Sequence, residues 1–109
     1  MKDKETLTAK AIQLANIISY QEGAIVSRTL IDKEAGTLTL FAFDKGQGLS
    51  EHTAPYDALI QVFEGEAIVR ISGKETSIKQ GEIIIIPANH PHALSAMTRF
   101  KMLLTMIRS

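Results

Sequence analysis

The sequence predicts an all-β barrel or sandwich preceded by one short helix, and three observations carry that prediction. From Gly23 onward, apolar and polar residues follow a period of two rather than 3.6. Short runs rich in β-branched residues are separated by Gly, Pro or Asp turns. No helical pattern interrupts them, and regular short strands of this kind build antiparallel barrels and double-layered sheets. At 109 residues the chain can build one sizeable core but not two. One domain spanning 1–109 is expected, with a helical segment over 1–22 and the barrel over 23–109.

Residues 6–18, TLTAKAIQLANII, place Leu7, Leu14, Ile17 and Ile18 on one helical face, with Thr6 or Thr8 as the cap and Gly23 as the stop. GAIVSRTLI (23–31) and GTLTLFAF (36–43) read as strands joined by the turn DKEAG. A loop with Asp44, Gly46 and Gly48 leads to a short strand over 49–53 that ends before Pro55. DALIQVFEG (57–65) and EAIVRIS (66–72) are expected as separate strands joined by a hairpin turn at Glu64-Gly65. Ser72-Gly73-Lys74 turns into ETSIK (75–79), and Gln80-Gly81-Glu82 turns into EIIIIP (82–87). After the loop PANHP, the chain returns as HALSA (92–96) and as RFKMLLTMIR (99–108).

That last strand is apolar on both faces, because Phe100, Met102, Leu104 and Met106 alternate with Lys101, Leu103, Thr105 and Ile107. A strand exposed on one side alternates more cleanly. The N-terminal helix or a second subunit must cover its outer face. GAIVSRTLI has the same two-sided character, so a homodimer is expected.

Composition narrows the function. Lys plus Arg and Asp plus Glu are 12 each, so the formal charge is zero. Nucleic acid and anionic membranes both demand a basic face, and neither is expected as a partner. The absence of cysteine excludes disulfides, thiolate metal sites and cysteine nucleophiles. MKDKETLTAK lacks the apolar core of a secretory signal, and the longest aliphatic run, Ile83 to Ile86, is far short of a membrane span. A cytoplasmic location is the default expectation.

The histidines fall in two blocks. GQGLSEHTAPYDALIQVFEG (46–65) contains His52, and GEIIIIPANHPHALSA (81–96) contains His90 and His92. Together the blocks resemble the two motifs of the cupin superfamily. Gly46, His52 and Gly65 match the first motif, while Ala54 stands at its second His position and Ala58 at its Glu position. Gly81, Pro87 and His92 match the second, with Asn89 where Gly is usual and Ala96 where Asn is usual. The resemblance implies a double-stranded β-helix, the jelly-roll cupin barrel, with His52 and position 54 pointing to the same side. Metal-bearing cupins aim two His and one Glu from one motif and a third His from the other at Fe, Mn, Ni or Zn.

This chain keeps two of those four positions. His52, Tyr56, Gln61 and His92 are the expected pocket residues. His52 and His92 are the candidate ligands for a divalent metal, with His90 as a weaker third, since Pro91 leaves its direction open. The plainer readings set beside these are rim histidines bonded to backbone, an exposed loop for His90, and packing beside Pro55 for Tyr56. Asp57 suits a turn cap, Met97, Met102 and Met106 suit the core, and Arg28, Arg70, Arg99 and Arg108 suit the surface. Methionines that did line the pocket would favour a hydrophobic or aromatic ligand.

Three functions follow in order of preference. The first is a module that binds a small molecule, with or without a weakly held divalent metal. The second is a metal-dependent oxygenase or isomerase using His52 and His92. The third is metal-free acid–base catalysis by His52 and Tyr56, as in cupin-type epimerases.

Overall fold

A computed structural model describes residues 7–108. Eight strands, β1 (Ile25–Lys33), β2 (Gly36–Phe43), β3 (Gly48–His52), β4 (Asp57–Ile71), β5 (Lys74–Lys79), β6 (Ile83–Ile86), β7 (His92–Ser95) and β8 (Phe100–Ile107), pair antiparallel throughout. They form two sheets that share β4. Its first half lies between β8 and β6, with β2 and β1 beyond β8. Its second half lies between β7 and β5, with β3 beyond β7. The expected all-β cupin-type barrel is the fold observed.

The hairpin expected at Glu64-Gly65 does not form, and β4 runs through as one strand of 15 residues. Gly65 has φ +78°, which a residue with a side chain adopts only with strain. The pairing with β8 slips between Val62 and Glu64, and such a bulge bends a strand without reversing it. At Gly65 the β8 backbone comes so close that a Cβ would overlap the carbonyl oxygen of Arg99. Gly65 therefore passes β4 from one sheet into the other. The true hairpin is at Ser72 and Gly73, whose φ of 50° and 85° with Ile71 opposite Lys74 are those of a two-residue primed turn.

The expected N-terminal helix is also corrected. Beyond Leu7, which is helical, its described part holds one turn of 3-10 helix, Leu14–Asn16, with no side-chain cap bond; Thr6, one candidate cap, lies outside the described residues. A segment this short does not repay helix nucleation by itself. Its apolar residues are instead spent on the sheet. Leu14, Ile17 and Ile18 pack with Leu40, Ala42, Phe63 and Leu103 on the outer face. Side chains then satisfy the strap's carbonyls: Arg28 donates to the Ile17 oxygen at 2.7 Å and Lys101 Nζ to the Ala15 oxygen at 2.8 Å. The two-sided character of β8 follows, with Phe100 and Met102 in the core between the sheets and Leu103 under the strap. Phe100 stacks on Phe43 with ring centroids 4.5 Å apart.

A polar clamp closes the strap. Tyr20 Oη donates to Glu64 Oε2 at 2.6 Å, and Arg99 and Lys101 each place their charge 5.0 Å from the Tyr20 ring centroid. Asp44 accepts from the Gly23 N–H at 2.6 Å and from Arg99 Nε at 2.7 Å. Arg28 and Arg99, expected as surface charges, thus anchor the N-terminal segment. Burial, then the Glu64 bond and charge, push the Tyr20 hydroxyl above its ordinary pKa. The Gly23 N–H, then Arg99, hold the Asp44 carboxyl down at about 2. Among the described residues no helix is long and apolar enough to cross a membrane.

Gly65→Ala combines positive-φ strain with backbone overlap and is expected to cost about 2 kcal/mol or more in urea denaturation; an unchanged midpoint would refute this account of β4. Asp44 has a lowered folded-state pKa, so its contribution is complete above the unfolded value of about 4 and is lost as pH falls toward 2. Asp44→Asn is therefore expected to lower the melting temperature by a constant amount at neutral pH, with the gap to wild type closing between pH 4 and 2. A gap that does not change with pH would show that the carboxylate charge is irrelevant.

Candidate functional site

The two histidine blocks meet through the β3–β7 ladder. Leu49 pairs with Leu94, the register then shifts, and His52 at the end of β3 lands opposite His92 at the start of β7. Their ring centroids are 4.3 Å apart with the planes inclined at 59°. Backbone bonds tie the blocks at both ends. Gly46 N–H donates to Ala96 O at 2.7 Å and Ala96 N–H to Gln47 O at 2.9 Å. At the other end Asn89 N–H donates to Ala54 O at 2.7 Å, and the Asp57 carboxylate accepts the Ala88 N–H at 2.9 Å. Asn89 itself has φ +68°, so the loop keeps the left-handed backbone that a glycine would supply, in a residue that tolerates it.

Each imidazole is oriented by a carbonyl two residues back. His52 Nδ1 lies 2.8 Å from Ser50 O and His92 Nδ1 lies 3.0 Å from His90 O. A carbonyl accepts only, so these bonds place a proton on each Nδ1 and leave Nε2 as the one lone pair either ring can offer. His92 is 8% exposed while His52 is open to solvent, so the pair forms one edge of a mouth.

Behind that mouth lies a cavity of about 60 Å³. β4 contributes Ala58 and Ile60, β8 contributes Met102, Leu104 and Met106, and Leu49, Ala54, Ile86 and Leu94 complete the apolar wall. Among the described residues, His52 and His92 are its only polar side chains. Ala54 and Ala58, where the resemblance places a His and a Glu, face the same space as the histidines.

The other sequence-derived candidates do not converge here. Gln61 has the opposite parity to Ile60 on β4, pairs with Leu103 and Ile83, and does not line the cavity. Tyr56 is half-buried outside the lining, so no His52–Tyr56 pair is assembled around the space. His90 is exposed, with Nδ1 3.1 Å from Ala88 O, and serves the site through its own carbonyl. Met102 and Met106, read as core, are wall residues. The signal for them was present in the parity of β8, where both share a face with Phe100.

Among the described residues, the Nε2 atoms of two imidazoles are thus the whole conventional donor set. Among the described residues no group of three His, Asp or Glu is placed to hold a metal ion. Tight sites for Zn and its neighbours use three or four protein ligands, commonly with a carboxylate. The residues present do not fit the four-ligand centre that the resemblance implies.

A family model described as a cupin domain matches residues 39–107. Among solved structures, a conserved protein of unknown function from Streptococcus pyogenes is 33% identical over 93% of this chain and 89% of its own, with a TM-score of 0.89. A Cupin 2 conserved barrel domain protein from Leptotrichia buccalis is 42% identical with a TM-score of 0.86; the match covers 89% of this chain but 47% of that one, about half its length. A salicylate 1,2-dioxygenase from Pseudaminobacter salicylatoxidans is 18% identical over 76% of this chain and 26% of its own, with a TM-score of 0.71, a likeness of fold alone. No curated protein matches the sequence.

Proposed function

The chain belongs to the cupin family, and we propose that it acts as a binding module whose barrel holds a small, mainly apolar molecule and releases it unchanged. The observation that carries this reading is the presence of Ala54 and Ala58 in the cavity wall, where a metal-bearing relative would need ligands. The wall offers an apolar ligand nine apolar residues, and the His52–His92 edge offers its head group two acceptor nitrogens. Size narrows the class further. A cavity of about 60 Å³ is well below the roughly 150 Å³ that accommodates a benzene ring. The occupant is therefore a compound of a few heavy atoms, or the narrow end of a larger one.

Oxygenase or isomerase chemistry at His52 and His92 is the alternative. Among the described residues it lacks a carboxylate and a third nitrogen at the site. The experiment combines a thermal-shift screen of small alcohols, ketones and short-chain acids with metal analysis of the untagged protein. A ligand present at a hundredfold excess over its Kd stabilises by about 2.7 kcal/mol, a rise of several degrees. The expected result is a hit that is lost in His52→Ala/His92→Ala and recovered intact by NMR. Turnover of the hit, or one Fe, Mn, Ni or Zn per chain that the double variant loses, would replace this reading with the enzyme.

A homodimer is proposed with it. Leu59 pairs with Ile85, and Ile83, Ile85 and Ile107 are 53%, 60% and 50% exposed, leaving an apolar band beside the strap. A second copy covering this band would remove it from water. Light scattering at high micromolar concentration is expected to give twice the chain mass, and Ile85→Lys to give the monomer. A monomeric wild type would end the proposal.

A further inference from the structure

A second apolar hollow lies outside the barrel, between the N-terminal segment and the edge strand β1. Leu7, Ile12, Leu14, Leu30 and Ile31 line this groove of about 440 Å³, and among the described residues Lys10 is its one charged lining residue. We infer that the groove receives the Ile83–Ile85 ridge of a second copy of this chain, about a two-fold axis that runs along β8. The inference rests on the homodimer reading and fixes which surfaces of the two copies meet.

Groove and ridge lie at opposite edges of one sheet face. Ladder partners share a face, and the row Ile31, Leu38, Thr105, Leu59 and Ile85 crosses five strands from β1 to β6. Thr105 is its one polar member, and β8 is the middle strand of the five. The strap covers only half of this face. It follows β1 from Val26 to Ile31 and packs on Leu40, Ala42 and Leu103. Among the described residues that cluster takes Phe63 alone from β4 and nothing from β6. Ile83 and Ile85 remain exposed at the bare edge, as Ile12 and Ile31 do at the groove.

Two such faces can meet about a two-fold axis that runs across the strands or along them. An axis across the strands sets ridge against ridge and strap against strap. The straps then hold the sheets two layers apart, and both grooves stay empty. An axis along β8 reverses the row. Each ridge then meets the other copy's groove, and each strap rests on the other copy's bare half. Both copies contribute the same patch, as a closed dimer requires.

Size and charge agree with this arrangement. The groove is about three times the roughly 150 Å³ that holds a benzene ring, so it has space for two isoleucine side chains. Strands about 4.8 Å apart and residues about 3.4 Å apart give a five-strand face of roughly 600 Å². The bare half alone, roughly 300 Å², is far below the roughly 800 Å² per partner of a stable interface. The strap side must therefore join the contact, and its relief adds area to the flat face. Lys10 borders the groove, while Glu82 precedes Ile83 and Asp57 pairs with Ile107 beside the ridge. The two surfaces thus carry rim charges of opposite sign.

The chain has no cysteine, so introduced thiols report alone. Ile12→Cys/Ile85→Cys, treated with a short bis-maleimide, is expected to run mainly as a covalent dimer on denaturing gels. Within one chain the two thiols stand at opposite edges of the sheet, roughly 19 Å apart and beyond the linker's reach. Ile12→Cys alone and Ile85→Cys alone are expected to stay at the level of Lys74→Cys, an exposed control on the other sheet. Ile31→Glu alters the groove without touching the ridge and is expected to give the monomer mass in light scattering. A melting curve for each variant checks the fold. Strong linkage of Ile85→Cys alone overturns the groove-to-ridge geometry and leaves the homodimer standing, as does an Ile31→Glu variant that stays dimeric. A monomeric wild type ends both.

Discussion

The closest constraint in this protein is the approach of β8 to β4 at Gly65. One strand serves two sheets only if it can bend sharply while staying paired, and the bend brings the Arg99 carbonyl to where a side chain would be. Phe100 pairs with Gly65 and stacks on Phe43, so the contact also sets the floor of the core. Both sheets take their register from this strand. The β7 strand pairs with its second half and carries His92, while Ala58 and Ile60 on its first half line the cavity. The spacing between the histidine edge and the apolar wall is therefore a property of one continuous strand.

Much of this was legible in the residues. Apart from the break expected within β4, period-two patterning and the turn residues located the strand ends to within about two positions, the ordinary uncertainty of strand ends. The hairpin expected at Gly65 failed because a positive-φ glycine can serve either a reversal or a bulge, and only tertiary pairing decides between them. The helix failed for a related reason. Leu14, Ile17 and Ile18 do share an apolar side, but Arg28 and Lys101 take carbonyls from the segment and the sheet takes its side chains. Its apolar pattern records burial against β2 and β8 rather than helical periodicity.

The site was legible in part. His52 and His92 meet across a ladder whose two strands are separated by 39 residues, and only the family spacing pointed to that pairing. Gln61 lies near the first histidine block in sequence, but strand parity places it on the other face. Met102 and Met106 are core and lining at once, because in a barrel this small the inner face of the sheet is also the pocket wall. The outer face is organised differently. There a strap is held by Tyr20, Asp44, Arg28 and Lys101, so polar bonds at fixed points supplement a modest apolar contact.

All three histidines use one local device, a ring Nδ1 bonded to the carbonyl two residues earlier. The orienting partner of each imidazole thus travels with it in the same tripeptide. A site built this way is portable. Here two such tripeptides meet at the end of one antiparallel ladder, with their rings 4.3 Å apart and each oriented without help from a distant loop. Its rings have little orientational freedom left to lose, so the entropy that a newcomer must overcome is concentrated in the newcomer itself.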